Sequence, residues 1–136
     1  MIKSLLFSSE KSNTDFAILL LRTTMGILMM LHGWDKWTHF DTIIAKEQFP
    51  VIVISMQFSL VLAIFAELLM SAFIVIGVFT RLATIPLIFT MLVAIFVVHL
   101  GGPIADRETA ILFLIGFIVI LFLGPGKYSI DAAIKK

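Results

Sequence analysis

The chain contains no cysteine, and only 14% of its 136 residues are charged. Without cysteine, the chain by itself forms no disulfide framework, thiolate metal site, haem-attachment motif or dithiol relay. It is 60% hydrophobic with a mean hydropathy of +1.12, which leaves too little polar surface to cover a water-soluble globule. We therefore expect an integral membrane protein whose main partner is the lipid bilayer, and any redox chemistry would depend on a bound cofactor or a partner protein.

Several other signals are also missing from the sequence. It has no HExxH, GxGxxG, GxSxG or P-loop pattern, so no common catalytic motif identifies a reaction. The formal net charge of +1 gives no reason to expect a nucleic-acid partner. A polar leader precedes the first apolar stretch and no small-residue cleavage site follows it, so we expect this stretch to be a retained membrane span.

Four apolar stretches predict an all-α fold, namely a single integral-membrane four-helix bundle over residues 1–136. At about 20 apolar residues per crossing, the predicted spans are approximately residues 16–34, 56–79, 82–100 and 108–123. Residues 35–50 are predicted to form an interfacial loop. Glycine and proline residues are expected to end the third and fourth spans.

The basic residues outside the spans predict the orientation of the chain. Four spans place both termini on one side of the membrane. Lys3, Lys11, Arg81, Lys127, Lys135 and Lys136 would lie on that side, and Lys36, Lys46 and Arg107 on the other. The excess of basic residues on the terminal side favours cytoplasmic termini.

One helical face of the first span carries its polar residues. Arg22, Met25, Met29, His32 and Lys36 recur at alternating spacings of three and four, so they share a narrow stripe at ~100° per residue. A charge at bilayer depth costs at least ~2.5–3.5 kcal/mol, and the stripe should therefore face the interior of the bundle.

The predicted depths bring further ionisable residues near this stripe. Arg22 and Glu67 lie at similar depth, so an ion pair between them is geometrically open. His32, His99 and Glu108 are expected in one layer near the outer face. The candidates for ligand binding or proton relay are Arg22, His32, Lys36, Glu67, His99 and Glu108.

Two ligand chemistries and a structural interpretation fit these candidates. A quinone would use their hydrogen-bond donors and proton-exchanging groups, and a divalent metal would use His32, His99 and Glu108. Alternatively, the histidines are ordinary interfacial residues, Lys36 reaches the headgroups, and an Arg22–Glu67 pair only fixes helix register. No motif decides between them, so the cofactor stays open, with a quinone as the leading candidate.

A series of short motifs resembles the DoxX family of small four-helix bacterial membrane proteins, over about Leu19 to Ala132. The motifs, in order, are Arg22, His32-Gly-Trp-Asp-Lys36, Glu67, Gly77-Val-Phe-Thr-Arg81, His99, Glu108 and Gly124-Pro-Gly-Lys-Tyr-Ser-Ile-Asp131. The resemblance implies a multi-pass protein of the bacterial cytoplasmic (inner) membrane linked to redox work. Some relatives resemble the membrane subunit of a thiosulfate:quinone oxidoreductase, and others associate with superoxide dismutase and a sulfurtransferase in oxidative-stress defence.

Two functional hypotheses follow from the residues and the resemblance. In the first, the chain is a membrane subunit of an oxidoreductase or oxidative-stress system and binds a quinone or similar ligand in the outer half of the bundle. His32 and His99 would then donate hydrogen bonds or protons, Glu67 and Glu108 would relay them, and Arg22 would hold Glu67 ionised. In the second, because distant relatives act as assembly factors, the chain is a non-catalytic scaffold for partner proteins.

The same sequence leaves catalysis by this chain and its soluble or membrane redox partners open. A homo-oligomer is compatible with the composition. A transporter or channel is disfavoured, because four short-looped helices make a narrow bundle without recognisable broken helix pairs.

Overall fold

The computed structural model of the protein describes residue 2, residues 13–99 and residues 101–135, without the side chains of residues 106 and 135. These described residues contain helices and no β-strand. The helices are α1 (Thr14–Thr38), α2 (Phe40–Ala45), α3 (Met56–Ile76), α4 (Thr80–Val98), α5 (Ile104–Leu123) and α6 (Ile130–Lys135). The all-α prediction is confirmed for this part of the chain.

Three of the helices, α1, α3 and α4, are long and apolar enough to cross a membrane. Helix α5 has 20 residues but carries Asp106, Arg107 and Glu108 in its first two turns, so its apolar part is shorter. Residue 100, where the third predicted span ends, lies outside the described residues.

The predicted interfacial loop over residues 35–50 is mostly helical. Helix α1 continues to Thr38, and α2 follows at once, because no glycine or proline interrupts residues 34–45. The irregular segment runs from Lys46 to Ser55 instead. Ser55 then caps α3 by accepting a 3.2 Å hydrogen bond from the Phe58 N–H.

The distribution of polarity is the reverse of that in a water-soluble protein. The buried set includes Arg22, Ser59, Glu67, Ser71, Thr80 and Thr84. Large apolar side chains such as Leu31, Phe89 and Phe122 cover the outside. Lipid solvates these outer side chains, and buried polar groups must find partners within the protein.

Two glycines let α1 and α3 approach closely. A Cβ at Gly33 would lie 2.9 Å from the Cβ of Glu67, and one at Gly26 would lie 3.0 Å from the Ser71 carbonyl oxygen. Small residues at a helix contact let the backbones come together, as is common in membranes. The sites of these two glycines therefore fix which residues of α1 and α3 lie level with each other.

A polar clasp made by Arg22, Gly77, Tyr128 and Asp131 joins α1, the α3–α4 turn and the C-terminal segment. Arg22 is only 1% exposed. Its guanidinium donates to the Ile74 carbonyl at 3.0 Å, the Val75 carbonyl at 3.1 Å and the Tyr128 carbonyl at 2.7 Å. It thus satisfies carbonyls at the end of α3 that have no partner within the helix.

Asp131 completes the clasp from the start of α6. Its carboxylate accepts hydrogen bonds from the Phe79 N–H at 2.8 Å and the Thr80 N–H at 2.9 Å. The backbone N–H of Asp131 donates to the Gly77 carbonyl oxygen at 2.8 Å. Partial burial alone would raise the pKa of Asp131, but these N–H donors and the charge of Arg22 outweigh it and lower that pKa. The carboxylate therefore caps α4 in its ionised form.

We expect Asp131→Asn to lower the free energy of unfolding by ~1 kcal/mol at neutral pH, because it weakens a helix cap. Since the pKa of Asp131 is lowered in the folded protein, its ionised form stabilises the fold fully above the ordinary value of about 4 and loses that effect as the pH falls through the lower value. The difference between wild type and variant should therefore narrow in acid. Thermal unfolding in detergent at several pH values measures this, with Asp41→Asn on α2 as the control. A difference that does not vary with pH would contradict the proposed role of the charge.

Candidate ligand-binding site

A cavity of about 850 Å³ lies between α1, α3, α4 and the irregular segment that precedes α3. Its size falls within the range of small-molecule sites, roughly 300–1,000 Å³. Apolar side chains such as Leu62, Phe89 and Met91 make up most of the wall. Four of the predicted site residues line it: His32, Lys36, Glu67 and His99.

The central polar feature of the cavity is an ion pair between α1 and α3. The Lys36 Nζ lies 2.8 Å from the Glu67 Oε1, and the Glu67 side chain is 1% exposed while that of Lys36 is 28% exposed. The second carboxylate oxygen, Oε2, is buried and has no hydrogen-bond partner among the described residues. A buried anionic oxygen is a strong acceptor, so a ligand in the cavity that carries a hydroxyl or N–H group could donate to it.

Two π-helical segments border the cavity. Residues Ala66–Met70 form one within α3, and Glu67 belongs to it. Residues Ala94–Val98 form the other at the end of α4, and His99 follows directly as its C-cap. Such wider turns are rare in proteins, and those that occur are often found at functional sites. They re-aim side chains from one helix face to another. Nothing in the sequence analysis indicated them.

The two histidines approach the cavity from different helices. The ring of His32 on α1 stands edge-on to Phe113 of α5, with 5.5 Å between the ring centroids. His99 is half-buried and ends α4. Both histidines thus line the cavity, with His32 exposed.

The irregular segment before α3 closes one side of the cavity. The Ser59 hydroxyl accepts hydrogen bonds from the Ile52 and Val53 N–H groups, each at 3.0 Å. Gln48, Phe49, Ile52 and Val53 all line the cavity. The sequence does not predict this wall, because none of these residues is ionisable. Only Ser59, a serine in an apolar helix, indicates an anchor for the segment.

The predicted Arg22–Glu67 pair is wrong, because the two residues serve different ends of α1. Arg22 binds the carbonyls at the end of α3, and Glu67 binds Lys36 instead. The depth estimate placed Glu67 level with Arg22. The contact at Gly33 places Glu67 about one turn from Lys36, so Lys36 and not Arg22 is the cation paired with Glu67.

Glu108 does not belong to the cavity. It is exposed, and at ~100° per residue it lies on the side of α5 opposite to the buried Ala110 and Phe117. The predicted layer of His32, His99 and Glu108 is therefore not assembled. Within residues 13–99 and 101–135, no three His, Asp or Glu side chains are grouped so that they could hold a metal ion.

Membrane-length helices, an ion pair between the buried Glu67 and Lys36, and an apolar exterior define a helical membrane protein with a cavity between its helices. Residues 17–100 match the model of the DoxX family, and this is more than half of the chain. The chain therefore belongs to the DoxX family, as its motifs indicated. No curated protein and no solved structure matches it. The matched region includes every residue named above as lining the cavity.

A double-mutant cycle tests the ion pair. We expect Lys36→Met to destabilise the fold by about 3 kcal/mol, because it leaves a buried carboxylate without its cation. Lys36→Met combined with Glu67→Leu should restore much of this loss, since both charges are then gone. Unfolding in mixed micelles measures each step, with Lys46→Met as the control for loss of an exposed lysine. Strictly additive effects would mean that the two side chains do not interact.

The separation of Arg22 from the cavity gives a second test. Arg22→Lys keeps a positive charge but cannot reach three carbonyls at once, and hydrogen bonds to charged groups contribute ~1.5–3 kcal/mol each. We expect a clear loss of thermal stability in the variant, while the folded fraction keeps wild-type affinity for any cavity ligand. A variant of full stability that loses ligand affinity would place Arg22 in the binding site after all.

Proposed function

We propose that this DoxX-family protein is a membrane subunit of an oxidoreductase or oxidative-stress system, and that its cavity binds a quinone or a similar lipophilic carbonyl compound. The observation that carries the proposal is the Glu67 carboxylate. One oxygen is paired with Lys36, and the other is buried at the cavity wall without a partner. In this proposal the unpaired oxygen is the acceptor for the ligand.

The residues around the cavity match the chemistry of a quinone. Its carbonyl oxygens accept hydrogen bonds, which the partly exposed Lys36 ammonium can donate, and the hydroxyl of the reduced quinol can donate to the Glu67 Oε2. The apolar wall suits the ring and the hydrocarbon tail. Reduction of a quinone consumes two electrons and two protons. Histidine is the residue type suited to proton exchange near neutral pH, and in this proposal His32 and His99, which line the cavity, take that role.

The electrons in this proposal come from a redox partner, since the chain has no cysteine to relay them. The partner would be a soluble or membrane-bound redox protein that docks near the cavity. The role of this chain is then to hold the ligand in the membrane and to exchange its protons. The oligomeric state enters neither step.

We also propose four membrane spans with cytoplasmic termini, in a bacterial cytoplasmic membrane. In support, the Lys127 N–H donates to Asp15 at 3.1 Å, and Asp131 binds the α3–α4 turn, so these parts of the chain meet at one end of the helices. An even number of crossings produces this arrangement. The sequence count of basic residues, which predicts an excess on the terminal side, supports cytoplasmic termini by the positive-inside rule.

A scaffold or assembly role is the second candidate function, and the clasp favours it. Arg22, the largest fully buried side chain of the described residues, uses both of its terminal nitrogens to join α1, α3 and the C-terminal segment. A protein whose charges serve only helix register would show this pattern throughout. Such a protein would bind no quinone, and its variants would change partner recovery rather than ligand affinity.

Photoaffinity labelling with a short-chain azidoquinone tests the proposed ligand in the full-length protein in nanodiscs. We expect saturable labelling of peptides from α1, α3 and α4. Glu67→Gln should weaken binding at least tenfold, because it replaces an anionic acceptor worth ~1.5–3 kcal/mol with a neutral amide.

The matched control is Glu108→Gln, which changes an exposed glutamate outside the cavity and should leave the affinity at the wild-type value. Thermal unfolding of both variants separates a lost site from a lost fold. Absence of saturable labelling in the wild type, or an equal effect of both substitutions, would reject the quinone proposal and leave the scaffold role.

A further inference from the structure

A second cavity lies at the opposite end of α4 from His99. Its volume is about 510 Å³, and it opens between the N-terminal turn of α4 and the C-terminal segment. The residues that line it include Phe79, Thr80, Arg81, Leu82, Lys127 and Asp131. None of them lines the cavity around Glu67, which we call the quinone cavity. The second cavity, which we call the terminal pocket, is therefore a separate feature.

Two cations face the terminal pocket from different parts of the chain. Arg81 is exposed, yet its guanidinium rests against the backbone of Gly124, where a Cβ would lie 2.8 Å from Nη2. Lys127 is exposed, with its Nζ 5.2 Å from the centre of the Tyr128 ring. Arginine and lysine together are the usual side chains that bind phosphate, the first in a planar fork and the second as a point charge.

The one acidic residue that lines this pocket is already engaged by other groups of the protein. The Asp131 carboxylate already accepts from the Phe79 and Thr80 N–H groups, and Arg22 acts on it from behind. The buried Thr80 hydroxyl also interacts with the Asp131 carboxylate at the pocket wall. The pocket therefore offers an anion two cations, Arg81 and Lys127.

The rim of the pocket is apolar and faces outward. Phe79 is 63% exposed and Leu82 is 69% exposed, both next to Arg81 at the start of a membrane-length helix. Cations beside outward-facing apolar groups at a helix end match a lipid, whose phosphate lies at the membrane boundary and whose acyl chains run along the helix.

We infer that the terminal pocket binds the phosphate of an anionic phospholipid headgroup, held by Arg81 and Lys127, with Phe79 and Leu82 against its acyl chains. The bound lipid bridges α4 and the C-terminal segment, because the two cations that hold its phosphate, Arg81 and Lys127, belong to these two parts of the chain. Free inorganic phosphate shares the same headgroup chemistry but has no chains to contact the rim. The proposal is independent of the ligand in the quinone cavity.

Native mass spectrometry of the delipidated full-length protein tests this site, with titrations of phosphatidylglycerol, phosphatidylcholine and inorganic phosphate. We expect phosphatidylglycerol to bind more tightly than phosphatidylcholine. Lys127→Gln should weaken phosphatidylglycerol binding about fivefold, and Lys127→Gln with Arg81→Gln about 25-fold. Lys46→Gln, which removes an exposed lysine at the other end of the helices, should leave it unchanged.

The lysine variant keeps the test sharp even if the arginine variant fails to fold, because Lys127 is exposed. Competition by inorganic phosphate at millimolar concentration, with equal affinity for both lipids, would show that the site takes free phosphate and would overturn the lipid assignment. Equal losses in Lys127→Gln and Lys46→Gln would reduce the binding to general surface charge and overturn the site itself.

Discussion

A carboxylate buried in an apolar helix needs a cation, and this need shapes the end of the molecule around Glu67. The partner is Lys36 at 2.8 Å, reached because Gly33 lets α1 and α3 approach closely. The pair requires α1 to stay helical past Trp34. It also leaves one buried oxygen at the wall of the cavity, so the interaction that joins two helices also prepares a site.

The buried charge at the other end of α1, Arg22, is stabilised in a different way. Among the described residues, Arg22 has no salt-bridge partner and instead satisfies the carbonyls of Ile74, Val75 and Tyr128. Asp131 then uses its charge on the N–H groups that begin α4. One helix therefore presents two cations on one face, Arg22 in the clasp that closes the fold and Lys36 in the ion pair at the cavity wall.

Much of the candidate site was predictable, because ionisable residues are rare in lipid-facing helices and their helical spacing is regular. The spacing places His32 and Lys36 on one face of α1, and the rarity of such residues makes Glu67 a candidate partner for a cation on that face. Glu108 was predicted to join His32 and His99, and the structure does not bring it to the cavity. The prediction used only its depth, and depth does not show which face of α5 is buried. The π-helical segments and the wall held by Ser59 were missed, because their residues carry no distinctive local pattern.

The sequence alone determined the membrane character, the positions of the long helices and the family, because hydrophobicity and short motifs are local properties. Only the tertiary structure decided that Glu67 pairs with Lys36 and that Arg22 binds backbone carbonyls. Those choices depend on how far one helix slides along another. Close contacts at Gly26 and Gly33 set that offset, and a difference of a few turns exchanges one cation for the other.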